Sequence, residues 1–358
     1  MPRPLGSLPL AGPQERWLAS LSPWPADGFG TGRMAAVLRD LGDPQDAFPA
    51  VHVVGTNGKS TATVTIEALL RAEGLHVGAT ISPHVRGWAE RIRIDGATAE
   101  LEPAIARVRA AAERHRATQF ETITAAALAA FADAGVDVAV VEAGLGGRLD
   151  ATNVLRSPVV LLTNVGLDHT DVLGDTRELI AREKLAVVRD GSTVVLPDRE
   201  FAPLVPHARV VVGGAREAAV AFLGRPVRAR VSVALPGRLE RRDGEIRDGA
   251  HNPDGVRWLV ARLDPADHVV VVSILRDKAV DEMLRELARA GSRLVATRSS
   301  NPRALPAGEL AERARPHFAH AEAVDEPHAA LERAHALGGP VLVTGSLYLL
   351  ADLEQAPA

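Results

Sequence analysis

The sequence predicts an α/β protein of two domains, and three features carry that prediction. One is an apolar run, Val51–Val54, followed by Gly55-Thr-Asn-Gly-Lys-Ser-Thr61 and then a helical pattern reaching Gly74. Another is the length, 358 residues, too much for one ordinary core. The third is strand–helix alternation through the second half, which implies a parallel sheet with right-handed crossovers. The reading is a P-loop-type mononucleotide-binding domain over residues 1–234 and a smaller, Rossmann-like α/β domain over 235–358.

The Val51–Thr61 stretch organises the rest. Strand, glycine turn, lysine and hydroxyl, then helix, is how a chain holds phosphate. Gly55 and Gly58 let backbone N–H groups crowd an anion without a Cβ in the way. The helix N-terminus adds partial positive charge. Lys59 neutralises outer phosphates, and Ser60 or Thr61 can face a metal ion. The spacing departs from the usual G-x-x-x-x-G-K-[ST] loop, because only two residues separate Gly55 from Gly58.

Composition removes several classes of function. Hydrophobic residues make up 46% and charged residues 24%, so a substantial core can form. Aromatics are 3%, which leaves that core to Ala, Leu and Val. A net charge of -4 offers no electrostatic case for nucleic acid. With no cysteine, disulfides, Cys-ligated zinc and a thiol nucleophile are excluded. No apolar run approaches membrane-spanning length and the start lacks a signal-peptide pattern, so a soluble, cytoplasmic protein is expected.

In chain order, a Pro-rich opening becomes helical around Trp17. Gly28–Met34 reads as a flexible loop leading into a helix that ends near Gly42. A strand over Val77–Ile81 places Ser82 at its carboxyl end, where α/β sheets hold ligand groups. Arg91–Gly96 reads as strand and turn, followed by helices near 103–117 and 122–134. The strand Val136–Val141 ends in Glu142, and Ala143-Gly-Leu-Gly-Gly-Arg-Leu-Asp150 follows. A carboxylate at a strand tip near a phosphate loop is where a magnesium ligand belongs. The strand Val159–Thr163 leads to Asp168 and His169, and the next helix, from Thr176, carries Lys184. A lone histidine is more often structural than a ligand. His169 shares its strand-end placement with Glu142 and Ser82, which points to one site. Beyond the run Val210–Val212 and a helix at 215–223, the second half alternates strands near 245–248, 269–273, 293–297 and 341–344 with helices. Its strand ends carry Asp248–Pro253, Arg276–Lys278 and Gly345-Ser346.

Taken together, these motifs resemble the folylpolyglutamate synthase/dihydrofolate synthase family, within the wider Mur ligase superfamily. The stretches that match are Gly55–Thr61, Ile81–His84, Glu90–Gly96, Glu142–Asn153, Gly166–Thr170, Ala181–Lys184, Leu235–Glu240, Asp248–Pro253, Asp277-Lys278 and Val343–Leu347. They appear in family order across nearly the whole chain. The run Gly144-Leu-Gly-Gly-Arg-Leu-Asp-Ala-Thr-Asn153 is the most specific of them. Departures include Ser60 where the family usually has Gly, Trp88-Ala89 before Glu90, and a shortened stretch between Lys184 and Arg238.

The resemblance implies roles. Gly55, Thr56, Asn57, Gly58, Lys59, Ser60 and Thr61 should hold ATP phosphates, with Arg238, Asp248, His251 and Asn252 contacting ATP from the second domain. Ser82, Glu142 and His169 should serve two magnesium ions. Lys184 matches a lysine that is carbamylated in relatives. Lys59, Glu142, His169 and Lys184 therefore form the implied catalytic set. Substrate contacts fall on Gly30, Thr31, Gly32 and Arg33, on Thr118, Gln119, Phe120 and Glu121, on Leu149, Asp150 and Ala151, and on Asp277, Lys278 and Ser346. The implied activity joins L-glutamate to 7,8-dihydropteroate, and to reduced folates, with ATP as co-substrate. A monomer without nucleic-acid or membrane partners is implied as well. Two other readings compete with it. A cell-wall Mur ligase would need a nucleotide-sugar domain before the loop, where only about fifty residues stand. A P-loop protein without ligase activity would not need the Asp248–Pro253 and Asp277-Lys278 motifs.

Overall fold

The computed structural model describes residues 12–242 and 244–355. The Pro-rich opening lies outside the described residues. The chain forms two compact units. One spans Leu10–Pro83 and Trp88–Val233, and the other takes His84–Gly87 together with Ala234–Ala358. Four residues assigned to the first domain from the sequence thus cluster with the second. Within that second unit Val85 is buried in a core with Leu347 and Leu350, and the Arg86 guanidinium meets Glu240 at 2.8 Å and Glu354 at 3.2 Å.

The first unit holds eight strands: β1 (Ala50–Val54), β2 (Val77–Thr80), β3 (Ile92–Ile94), β4 (Ala97–Thr98), β5 (Val138–Glu142), β6 (Val159–Leu162), β7 (Thr193–Leu196) and β8 (Arg209–Val212). Their order is β4-β3-β2-β5-β1-β6-β7-β8. β1 lies between β5 and β6 and is parallel to both. All five of its residues are buried, as expected of a strand covered on both faces. The register sets Val53 beside Glu142 and Val54 beside Leu162. Whatever follows these three strands therefore emerges along one edge.

At one margin the first unit's sheet turns antiparallel. β3 runs antiparallel to β2, and β4 to β3. Asp95 and Gly96, at φ 50° and 81°, make the tight turn that reverses the chain. The sequence reading also left β7 unassigned and set the two helices after this hairpin late. They span Leu101–Arg114 and Gln119–Ala134. Thr118 and Glu121 form a reciprocal capping box, and that local chemistry starts the second helix at Gln119.

The second unit holds β9 (Glu240–Arg242), β10 (Glu245–Arg247), β11 (Val269–Val272), β12 (Arg293–Ala296), β13 (His320–Ala323) and β14 (Val341–Thr344), in the order β13-β12-β11-β14-β10-β9. All its pairings are parallel except β9 with β10. β13 escaped the sequence reading because His-Ala-Glu-Ala carries no β-branched or aromatic residue and lies at an edge.

After Trp88, Phe131 is the largest fully buried side chain in the core of the first unit. It stands edge-on to Phe48 at 6.0 Å, and lies where a Cβ on Gly78 would come within 2.6 Å of it. Phe131→Ala is expected to cost about 3–5 kcal/mol, read as a lower midpoint in urea unfolding.

Candidate active site

β1 ends at Val54, and four residues separate it from the helix Lys59–Ala72. Gly55 sits at φ 149°, and a Cβ there would fall 1.9 Å from Thr163 Oγ1. Gly58 caps the helix at φ 79°, in the left-handed region that favours glycine. The loop is braced from the end of β6. Thr163 Oγ1 donates to the Asn57 carbonyl at 2.7 Å, and the Asn57 N–H donates to Asn164 Oδ1 at 2.9 Å. The Thr56 N–H reaches the Asn164 carbonyl at 3.1 Å. Sequence reasoning missed Thr163 and Asn164 as braces. Their place at the end of the strand after Glu142 was the available signal.

Two lysines converge on one carbonyl. Lys59 Nζ donates to Gly55 O at 3.2 Å and Lys184 Nζ donates to the same oxygen at 2.9 Å. Lys184 is 4% exposed. Its burial, and next the charge of Lys59, bring its pKa down to about 7.

Glu142 is 3% exposed at the tip of β5. Ser60 Oγ donates to its Oε1 at 3.1 Å and the Ser82 N–H to its Oε2 at 3.0 Å. The same hydroxyl lies 3.4 Å from the Ser82 carbonyl. Between the two hydroxyls offered by the motif, Ser60 faces this group while Thr61 is exposed. A carboxylate with hydroxyl and carbonyl oxygens beside it is a hard-oxygen donor set suited to magnesium. His169 begins the helix Thr170–Leu173 at φ 52°, a strained setting for a non-glycine, with its Nε2 3.9 Å from Asp168 Oδ1. Among the described residues, no three His, Asp or Glu side chains gather as a metal cage.

The glycine-rich loop after β5 is locked on both sides. A Cβ on Gly147 would lie 2.5 Å from the Lys184 carbonyl oxygen and 2.7 Å from that of Glu183. Arg148 donates from its backbone to Glu183 O at 3.0 Å and from Nε to the Glu183 carboxylate at 3.0 Å. Asp150 accepts from Leu145 N–H at 2.8 Å, Thr152 N–H at 3.0 Å and Thr152 Oγ1 at 2.5 Å. Burial raises its pKa against the pull of those donors. Leu149 is exposed and Ala151 buried. Phe120 packs where a Cβ on Gly144 would stand, 2.6 Å away. Phe120 thus borders this loop, while Thr118 and Glu121 cap their helix and Gln119 Nε2 donates to the Ala19 carbonyl at 3.0 Å. Arg33 reaches Glu121 at 2.9 Å and pairs also with Asp27. The loop read over Gly28–Met34 ends at Thr31: Gly32 and Arg33 open the helix Gly32–Asp40.

In the second unit, Asp248 accepts from the Leu239 N–H at 2.7 Å and the Ala250 N–H at 2.8 Å. Burial pushes its pKa up, and Arg238 is among the groups opposing that rise. His251 Nδ1 lies 2.8 Å from Gly249 O. Asn252 caps the helix Pro253–Val260, accepting from Gly255 N–H at 2.8 Å. Asp277 pairs with Arg303 at 3.3 Å, Lys278 follows it, and Ser346 caps the helix Leu347–Asp352 by accepting from Tyr348 N–H at 3.1 Å.

Comparison with known proteins decides the lineage. The Mur ligase middle domain matches residues 53–208, and the Mur ligase glutamate ligase domain matches 237–347. The dihydrofolate synthase/folylpolyglutamate synthase of Mycobacterium tuberculosis is 32% identical, over 78% of this chain and 76% of that protein. The chain belongs to the folylpolyglutamate synthase/dihydrofolate synthase family. Members of this family are ATP-dependent ligases. The structure of E. coli FolC in complex with DHPP and ADP is 28% identical with a TM-score of 0.84, covering 97% of this chain and 98% of that one. A bifunctional folylpolyglutamate synthase/dihydrofolate synthase with Mn, AMPPNP and L-glutamate bound is 30% identical with a TM-score of 0.81, covering 98% of each chain.

Two outcomes test the geometry. Gly147→Ala pushes a methyl into two backbone carbonyls, so turnover should fall roughly a hundredfold, as a displacement of about 1 Å can produce, and steady-state kinetics read it. Lys184 binds its proton less tightly folded than unfolded, so between pH about 7 and its ordinary 10.5 the unfolded chain holds more protons. Stability should therefore rise with pH across that window, by about 1 kcal/mol per unit relative to Lys184→Met, in urea unfolding in carbonate-free buffer.

Proposed function

We propose that this protein is a dihydrofolate synthase that joins L-glutamate to 7,8-dihydropteroate and also extends reduced folates. The observation that carries this reading is the buried Glu142 carboxylate, held by Ser60 and Ser82 beside a braced phosphate loop. The relatives with DHPP, ADP, Mn and L-glutamate bound support the substrate classes.

A carboxylate resists attack by an amine, because oxide would have to leave. One of its oxygens first attacks the γ-phosphorus of ATP, the bond to ADP breaks, and an acyl phosphate forms. The amine of glutamate then attacks the acyl carbon. Phosphate leaves, the amine loses its proton, and an amide remains. Lys59 neutralises charge on the phosphoryl group in transit, with the N-terminus of the helix it opens beside it. Ser60, Ser82 and Glu142 would hold magnesium, with His169 near a second ion; the metal supplies charge neutralisation on the phosphate oxygens. Lys184 is the candidate for carbamylation. Its pKa of about 7 leaves a neutral amine available to carbon dioxide, and the carbamate would relieve two cations sharing the Gly55 carbonyl.

Gly30–Arg33, Thr118–Glu121 and Leu149–Ala151 take the pterin acid. In the second unit, Arg238, Asp248, His251 and Asn252 are the candidate ATP contacts, and Asp277, Lys278 and Ser346 the candidate substrate contacts. The protein acts as a monomer in the cytoplasm, where ATP and reduced pterins are found. No helix among the described residues is long and apolar enough to cross a membrane.

The test is phosphate release from ATP with dihydropteroate and glutamate, each omitted in turn. Release is expected only with all three present. Lys59→Ala and Glu142→Ala should each lower it by at least about a hundredfold. Release without dihydropteroate, or undiminished in either variant, would refute the assignment.

A further inference from the structure

His52 is a polar residue in the middle of the central strand, 0% exposed, in a chain whose other β1 residues are Ala and Val. Its Nε2 lies 2.8 Å from Thr152 Oγ1, and its Nδ1 has no hydrogen-bond partner. Thr152 is itself 0% exposed, and its Oγ1 lies 2.5 Å from Asp150 Oδ1. Both oxygens of Asp150 already receive backbone N–H groups, from Thr152 and Leu145. A carboxyl group so surrounded is an acceptor, so the hydroxyl points its single proton at Asp150. The contact to His52 must then run the other way, from Nε2–H to the lone pair of Thr152 Oγ1. That assigns the neutral imidazole one tautomer and leaves Nδ1 as the unprotonated nitrogen. Its basicity agrees: burial, and next the Arg189 charge, lower the His52 pKa to about 3. Arg189 is a second anchor of the same loop, donating to Asn153 Oδ1 at 2.6 Å.

We infer that His52 is a positioning residue for the reaction: through Thr152 it orients the Asp150 carboxylate and with it the Leu149–Ala151 segment that takes the pterin acid. The inference rests on the proposed role of that segment. It explains a buried imidazole in a valine strand, where a hydrocarbon would pack without a desolvation cost. Gln can place an amide N–H where Nε2–H stands, whereas Leu cannot.

The test compares His52→Leu, His52→Gln, Thr152→Val and the double variant His52→Leu/Thr152→Val. His52→Leu should raise KM for dihydropteroate about tenfold, the scale of one lost buried hydrogen bond, with KM for ATP and kcat little changed. His52→Gln should recover most of that loss, and the double variant should be no worse than Thr152→Val. Nitrogen NMR of the wild type should show His52 protonated at Nε2 and bare at Nδ1 throughout the neutral range. A proton on Nδ1, an imidazolium, KM values for both substrates rising together, or a folded His52→Gln no better than His52→Leu would each overturn the inference. The tautomer measurement stands even where His52→Leu fails to fold. Should the wild type not use dihydropteroate at all, the substrate reading falls while the NMR result still decides the anchor.

Discussion

One carbonyl oxygen, that of Gly55, receives two lysine ammonium groups, and much of the first unit follows from making that arrangement tolerable. Burial, and next repulsion by the second cation at the same acceptor, lower the proton affinity of Lys184. Such a point attracts anions. Glycine at position 55 lets Thr163 come close enough to brace the loop, and parallel pairing of β1 with β5 and β6 carries Glu142 and Asn164 to the same edge. Positive charge, a helix N-terminus and a buried carboxylate are what phosphoryl transfer in the presence of a divalent ion requires.

The glycine-rich loop after β5 extends this logic to the acceptor. Gly147 permits backbone contact with Glu183 and Lys184, so the segment that borders Phe120 is fixed to the helix that carries the buried lysine. Arg148–Glu183, Asn153–Arg189 and the Asp150–Thr152–His52 chain pin it at three further points. A loop held this way is set before ligand arrives, which keeps the ordering cost out of the catalytic step.

Much of this was legible in the sequence, because the chemistry is local. Gly55–Thr61 declares its turn and its cation within seven residues, and Glu142 stands directly after a valine-rich strand. The capping box at Thr118 was equally local, yet the helix was started late because its apolar pattern becomes dense only after Glu121. What could not be read depended on strand order. Nothing in the one-dimensional chain says that β6 lies beside β1, so the strand-end place of Thr163 and Asn164 did not reveal that they grip Asn57. His52 passed unnoticed because its partner is one hundred residues away. The antiparallel strand β9 and the edge strand β13 were missed because short, charged or alanine-rich segments carry little strand signal.

The central claim is that a pterin carboxylate becomes an acyl phosphate before it meets glutamate. Dihydropteroate labelled with heavy oxygen in its carboxyl group tests this most directly, with the released phosphate analysed by mass. One labelled oxygen in each phosphate is the predicted result. Phosphate that carries none, while labelled amide product forms, would contradict the account.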